Sequence, residues 1–418
     1  MIDLILSAIK IVVLLGILIT IHELGHFIVA KLSKVKVNQF AIGFGPIILE
    51  KQGKETKYSL RLIPLGGFVS MEGEEGNSEA INSFSKAKMH KKILIVAAAA
   101  IVNIVFALLL YFIISISSGT YTSNQIDSLI SGFAAEKVGI QPNDKILEID
   151  GNKIKTKNDL DKISDDFTGE ELNIKVERNK ESIWYNMTPT EQKTPITGIY
   201  LDENANIVLV APNSPVDKSG VLVNDKLVKV QNIEIDGDIY KALELIASTK
   251  PENPKLQMTV DRNGKMIDIN INVEFISTYY IGVVFKQAPD TVINRVMNGI
   301  METQKFVISI GENLKDLFTG QIGIDQMTGP VGISAMVADT DGVKEFFELM
   351  ALISLSLGIT NLLPIPALDG GKILILIIEI IRRKPMKKET EIKIQLIGFT
   401  ILISLSLYIT FKDIVRIF

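Results

Sequence analysis

The chain has 418 residues, room for two to four domains. Hydrophobic residues make up 47% of it and the mean hydropathy is +0.29, so part of the chain belongs in lipid. A net charge of −4 gives no argument for nucleic acid, and the lack of cysteine excludes disulfides and zinc–thiolate sites.

Residues 2–30 predict a first membrane span, the core of a segment 1–33. It has no small-residue cleavage site and contains a candidate active site, so a retained helix rather than a signal peptide is expected. Within it stands His22-Glu23-Leu24-Gly25-His26. Helix positions i and i+4 share a face, so His22 and His26 can address one metal ion. Imidazole suits zinc, and a catalytic zinc takes three protein ligands and keeps one position for water. Glu23 is placed to take a proton from that water. A chance match on a buried helix is the competing explanation, but ionisable groups inside a span are costly and usually functional. The only other histidine, His90, lies among Lys88, Lys91 and Lys92, which repel a cation. The third ligand is therefore expected to be a carboxylate.

Residues 34–92 predict a polar loop with strand character, punctuated by Gly43-Phe44-Gly45-Pro46 and Leu65-Gly66-Gly67-Phe68. Residues 58–63 alternate polar and apolar, as a strand does. Two readings stand: an ordinary hairpin, or an edge strand that pairs with an extended substrate. Residues 93–117 are the second span, with Asn103 inside it as a helix–helix hydrogen bond or a part of the site.

Residues 118–275 are soluble in character and repeat internally. The stretch 139–149 aligns with 220–230 at an offset of 81, and each copy carries Asn-Asp-Lys before an alternating strand. Two α/β modules follow, at 118–195 and 196–275. Their pattern resembles PDZ domains, which bind extended peptides; a rigid spacer is the alternative. In the linker 276–345, residues 290–318 predict an amphipathic helix lying on the membrane or on the modules. Residues 346–381 form a third span broken by Pro364-Ile365-Pro366, followed by Asp369-Gly370-Gly371. Asp369 is the only acidic residue between Glu348 and Glu379, hence the best third ligand, or a helix N-cap. The segment 392–418 holds the fourth span.

The loop 31–92 carries eleven Lys and Arg, and Arg382, Arg383, Lys384, Lys387 and Lys388 precede the last span. Both loops are then expected to be cytoplasmic, with the long insert and both termini outside. Both motifs come to lie near the cytoplasmic side.

His22-Glu23-Leu24-Gly25-His26, together with 361–371 (NLLPIPALDGG), resembles the site-2 protease metalloproteases. The two modules between the second and third spans are similar to the regulator of sigma-E protease branch. The resemblance implies a polytopic α-helical membrane protein with four transmembrane segments, a membrane-associated β-hairpin loop and two tandem extracytoplasmic PDZ-like domains. It implies one catalytic Zn²⁺ held by His22, His26 and Asp369, with Glu23 as acid and base. Asn361, and Gly66, Gly67 and Phe68 of the hairpin 58–71, are the substrate-binding positions it implies. Substrates would be single-pass membrane proteins already trimmed outside, such as an anti-sigma factor or signal-peptide remnants, in a bacterial cytoplasmic membrane. The PDZ-like modules would bind peptide or exclude bulky ectodomains. Two departures stand out: Lys372 where the family often has His, and Ala99-Ala100 where it often has Gly-Pro. A peptide receptor without catalysis and a metal transporter are the rival functions, and neither gives Glu23 a role.

Overall fold

The computed structural model describes residues 2–74, 76, 78–319, 328–340 and 342–417; of the expected linker, 320–327 and 341 lie outside the described residues. The chain divides into two compact units, 1–120 with 290–418, and 121–289.

The first unit opens with helix α1 (Ile2–Leu32). It stops at Lys34, whose φ of +62° is left-handed, and the Val35 N–H returns to the Ala30 carbonyl at 2.9 Å. That pattern satisfies end carbonyls that have no helical partner. Strands β1 (Val37–Gln52) and β2 (Lys57–Met71) follow. Each is long enough to bend near its glycine cluster and be used twice. Phe40 pairs with Val69 on one side and Tyr58 on the other, and Tyr58 pairs in turn with Lys51. The curled sheet therefore runs 67–71, 37–42, 57–60, 47–52. Tyr58 and its neighbours, for which an edge strand was one of two readings, are interior; the stretch 67–71 is an edge. Phe44, Ile48, Leu49 and Leu62 remain exposed on this sheet. Helix α2 (Met89–Ser117) completes this half.

In the second unit, β3 (Thr122–Leu129), α3 (Ala134–Lys137), β4 (Lys145–Ile149), β5 (Asn152–Lys153), α4 (Lys157–Ser164), β6 (Leu172–Arg178) and β7 (Glu181–Met187) make a first module. After β8 (Thr190–Ile196), a second module holds β9 (Ile199–Leu201), β10 (Ile207–Val210), α5 (Pro215–Lys218), β11 (Lys226–Val230), β12 (Ile233–Glu234), α6 (Ile239–Ala247), β13 (Lys255–Arg262) and β14 (Lys265–Asn272). Strand β15 (Glu274–Tyr280) pairs with β8, and β16 (Val283–Gln287) returns to pair with β3. Ile281 is buried in the core of the first module with Ile126, Ile146 and Ile174. The first module is thus closed by a strand that the sequence left in the linker, and the second sits inside it in chain order. The aligned repeats are the same piece of structure twice. Asp144 takes two bonds of 2.7 Å from Arg178, Asp225 takes bonds of 2.7 and 2.6 Å from Arg262, and each arginine also donates to the carbonyl of Gly139 or Gly220.

Back in the first unit are α7 (Val292–Thr319), α8 (Pro330–Ala338), α9 (Val343–Leu362), α10 (Asp369–Arg382) and α11 (Lys388–Ile417). Helix α7 packs lengthwise and antiparallel on α2. Asn298 donates to the Ser115 carbonyl at 2.9 Å, and Phe306 stacks on Tyr111 with ring centroids 4.2 Å apart. Part of its apolar stripe, with Phe306 and Ile310, packs on α2 and α9 around Ala107, Ala351 and Leu355, while Val292, Ile293, Ile300 and Val307 stay exposed. Helix α8 is held at both ends by charge: Asp413 accepts from the Gly332 N–H at 2.8 Å, and Lys10 donates to the Thr340 carbonyl at 2.6 Å. Each sign suits the dipole end it meets, which accounts for a lysine inside the first span. Among the described residues, three helices are long and apolar enough to cross a membrane, within α1, α2 and α11.

Helix α2 is the centre of this unit. Ala98, Ala99 and Ala100 are buried on it. A Cβ placed on Gly25 of α1 would come 2.6 Å from the Ala99 Cα, and one on Gly358 of α9 would come 2.8 Å from the Ala100 carbonyl oxygen. Small residues on both sides of each contact let the backbones touch, which is how helices pack where no water drives them together.

Candidate metal centre

His22 and His26 lie on the α1 face turned to α2, and Asp369 is the first residue of α10. Backbone contact at Gly25, between the two histidines, sets their distance from α2. Asp369 arrives from the other end of the chain. Helix α9 ends at Leu362, and α10 starts only after a turn in which Ala367 is left-handed (φ +77°). A Cβ on Gly370 would sit 2.1 Å from the Leu363 carbonyl oxygen, so only glycine lets the new helix begin against the end of the old one. The Ala367 N–H donates to Gln395 of α11, which ties the turn to the last helix.

His22 Nε2 lies 3.4 Å and His26 Nε2 3.6 Å from the same oxygen, Asp369 Oδ2. Two ligands each ~2.0–2.1 Å from a tetrahedral ion stand about 3.3–3.4 Å apart, so both spacings suit one zinc. The three ligand atoms lie within 4.8 Å of one another. Asp369 is buried, and its Oδ2 has no hydrogen-bond partner among the described residues. A buried carboxylate oxygen between two imidazole nitrogens is a donor set that fits a divalent cation and is costly without one. The His26 Nδ1 donates to the Ile95 carbonyl at 2.9 Å, which leaves Nε2 its lone pair for a metal. Asp369 does not cap α10 with its side chain; Leu368 holds the cap position, and the carboxylate lies in the first turn, where the helix dipole favours it.

Glu23 lies against the edge segment of the hairpin. A Cβ on Gly67 would come 3.3 Å from its Cγ. Gly66 (φ +127°) packs against the Phe44 ring, and the Phe68 ring lies 5.3 Å from the Arg61 guanidinium carbon. Asn361 sits in the last turn of α9, just ahead of the break. His90 is exposed at the start of α2, outside the cluster. For Asn103 of α2 the sequence left two roles open, and the structure shows contacts of both kinds: its amide approaches His22 at 3.3 Å, and Ser354 of α9 donates to its carbonyl at 2.9 Å. The one signal for it was an amide inside an apolar span.

Residues 10–405 match peptidase family M50. The chain is 31% identical over 437 residues to the probable protease Eep of Enterococcus faecalis, covering 99% of both chains. It is 30% identical over 402 residues to a putative zinc metalloprotease of Clostridium perfringens, covering 95% of each. Over 437 residues it is 29% identical to the regulator of sigma-W protease RasP of Bacillus subtilis, covering 99% of each. A match that begins ahead of the paired histidines and ends beyond the aspartate takes in both segments of the cluster, and the chain belongs to peptidase family M50, the site-2 proteases.

Proposed function

We propose that the chain is a zinc-dependent endopeptidase that cuts a peptide bond in or beside the transmembrane segment of an already trimmed membrane protein. The observation that carries this is the convergence of the His22 and His26 imidazoles, from one end of the chain, on a buried oxygen of Asp369, from the other, that has no hydrogen-bond partner among the described residues. These three residues would hold one Zn²⁺. When bound, zinc would supply a Lewis acid that brings the pKa of coordinated water down to about 7 and polarises the scissile carbonyl.

Glu23 takes the proton from the attacking water and returns it to the leaving amine. With three ligands from this chain, a bound zinc would keep a further position for water or substrate. A helical substrate hides its carbonyls in hydrogen bonds and must unwind before it can be cut. The edge 67–71 supports a place for the unwound segment: its backbone pairs with 37–42 on one side only, and Gly67 adjoins Glu23. Strand addition there would offset part of the unwinding cost. Gly66, Gly67 and Phe68 would contact substrate, with Asn361 beside the broken helix.

The broken pair α9–α10 supports a third of four spans, with its non-helical turn protected by protein. The basic loops support a cytoplasmic hairpin, with both modules outside a bacterial cytoplasmic membrane. The modules would be PDZ-like and would filter substrates by ectodomain size. Relatives named for sigma-factor regulation support anti-sigma factors among the substrates, alongside signal-peptide remnants.

In Glu23→Gln the three ligands are intact, so zinc stays bound at one ion per chain. Loss of a general base costs about 10²–10⁴-fold, and cleavage of a reporter transmembrane peptide is expected to fall by that factor. Cleavage at the wild-type rate would remove Glu23 from the mechanism.

A further inference from the structure

The carboxamide of Asn103 is buried beside His22, its nitrogen 3.3 Å from His22 Nδ1 and its oxygen without a hydrogen-bond partner. In that orientation the contact conflicts with metal binding. An amide N–H aimed at Nδ1 needs a lone pair there, and a neutral imidazole with its lone pair on Nδ1 carries its proton on Nε2. But Nε2 is the atom that faces Asp369. Protonated, it has nothing to give an ion.

The two ends of a carboxamide are close to isosteric, so turning Asn103 by 180° about its last torsion keeps the packing and sets Oδ1 against Nδ1. The ring then donates Nδ1–H to Oδ1, and Nε2 keeps its lone pair. The amino group takes the side on which Oδ1 has no donor. We propose that Asn103 is a positioning residue that holds His22 in the metal-binding tautomer and fixes its tilt; this rests on the zinc assignment made above.

His26 shows the same device with a different part. Its Nδ1 meets the Ile95 carbonyl, which can only accept. Ile95 and Asn103 lie about two turns apart on α2, so one helix orients both rings. The register of Asn103 is itself pinned, since Ser354 donates to its backbone carbonyl.

The test is zinc affinity, measured on full-length protein in detergent for the wild type, Asn103→Leu and Asn103→Asp. Asn103→Leu removes the acceptor at similar volume. Affinity is expected to fall about 10–100-fold, with a changed absorption spectrum when cobalt replaces zinc. Asn103→Asp offers only acceptors and is expected to bind zinc at least as tightly as the wild type. If Asn103 served only as packing, Asn103→Asp would bury a carboxylate with no matching donor and weaken binding. The proposal is overturned if Asn103→Asp binds more weakly than the wild type, or if Asn103→Leu stays within about twofold of it. Should Asn103→Leu not fold, Asn103→Asp decides alone. Asp369→Ala, run alongside, separates the two levels. A wild type without zinc, or an Asp369→Ala protein that binds it equally well, overturns the zinc assignment itself.

Discussion

Asp225 shows how one carboxylate organises a module. Burial pushes its pKa up, but two bonds from Arg262 and one from the Leu222 N–H outweigh burial and leave it below the usual carboxylate range. A depressed folded value means stability that is fully present above the unfolded pKa of about 3.9 and is lost as pH falls through the lower folded value. Asp225→Ala leaves a buried N–H and a guanidinium without their acceptor, at a cost of about 1–3 kcal/mol. Thermal unfolding of the isolated wild-type and Asp225→Ala modules, followed from pH 7 down, is expected to show a gap that closes below about pH 4. A gap of constant size would assign the loss to packing. The sequence showed the aspartate, because Asn-Asp-Lys recurs at a fixed offset. The arginines recur as well, in Val176-Glu177-Arg178-Asn179 and Val260-Asp261-Arg262-Asn263, but outside the aligned stretch and at a different offset, and only the fold shows that they pair with the aspartates. The same contrast holds at the metal centre. His22, Glu23 and His26 stood out by their local spacing and Asp369 as the lone acid of its apolar stretch, whereas Asn103 and the Ile95 carbonyl act only once α1 and α2 are side by side.

At the scale of helices, the decisive feature is how closely α1 and α9 approach the alanines of α2. A methyl on Gly25 would fall 2.6–2.9 Å from three backbone atoms of Ala98 and Ala99, and backbone cannot rotate away as a side chain can. Gly25→Ala is therefore expected to push α1 off α2 and to pull His22 and His26 from Asn103 and Ile95. Zinc affinity should drop at least about tenfold, the size of effect seen when supporting bonds to metal ligands are lost. Gly311 on α7 is the matching control. Among the described residues nothing lies within 4 Å of a Cβ there, so Gly311→Ala should leave zinc unchanged and stabilise the helix by about 0.5–1 kcal/mol. Equal zinc affinity in Gly25→Ala and the wild type would show that the helices have slack the structure does not suggest. The apolar elements were readable from hydropathy alone. The curling of the hairpin was not, because glycine clusters announce a bend without saying which half of a strand pairs with which. Nor was the return of β16, a five-residue strand with no partner nearby in sequence.

Over the whole molecule, every residue assigned to the chemistry lies in the unit made of 1–120 and 290–418, and the other unit is one continuous insertion. The ends of that insertion meet: the Ala288 N–H donates to the Tyr121 carbonyl at 2.9 Å. A short glycine–serine linker can therefore replace 121–289 without stretching what remains. If the modules only filter substrates, the shortened protein should bind zinc at the wild-type ratio and cut a trimmed reporter at the same rate. It should also cut an untrimmed reporter, one with a folded ectodomain, that the full chain leaves intact. A binding role predicts the opposite sign. Peptide captured by the modules raises the local concentration of substrate, so excision would raise KM for the trimmed reporter and open no new substrate. Comparing kcat and KM for the two reporters in the two proteins decides between filter and tether. Zinc content guards the comparison, since a shortened chain without metal would mean that the first unit needs the second in order to fold.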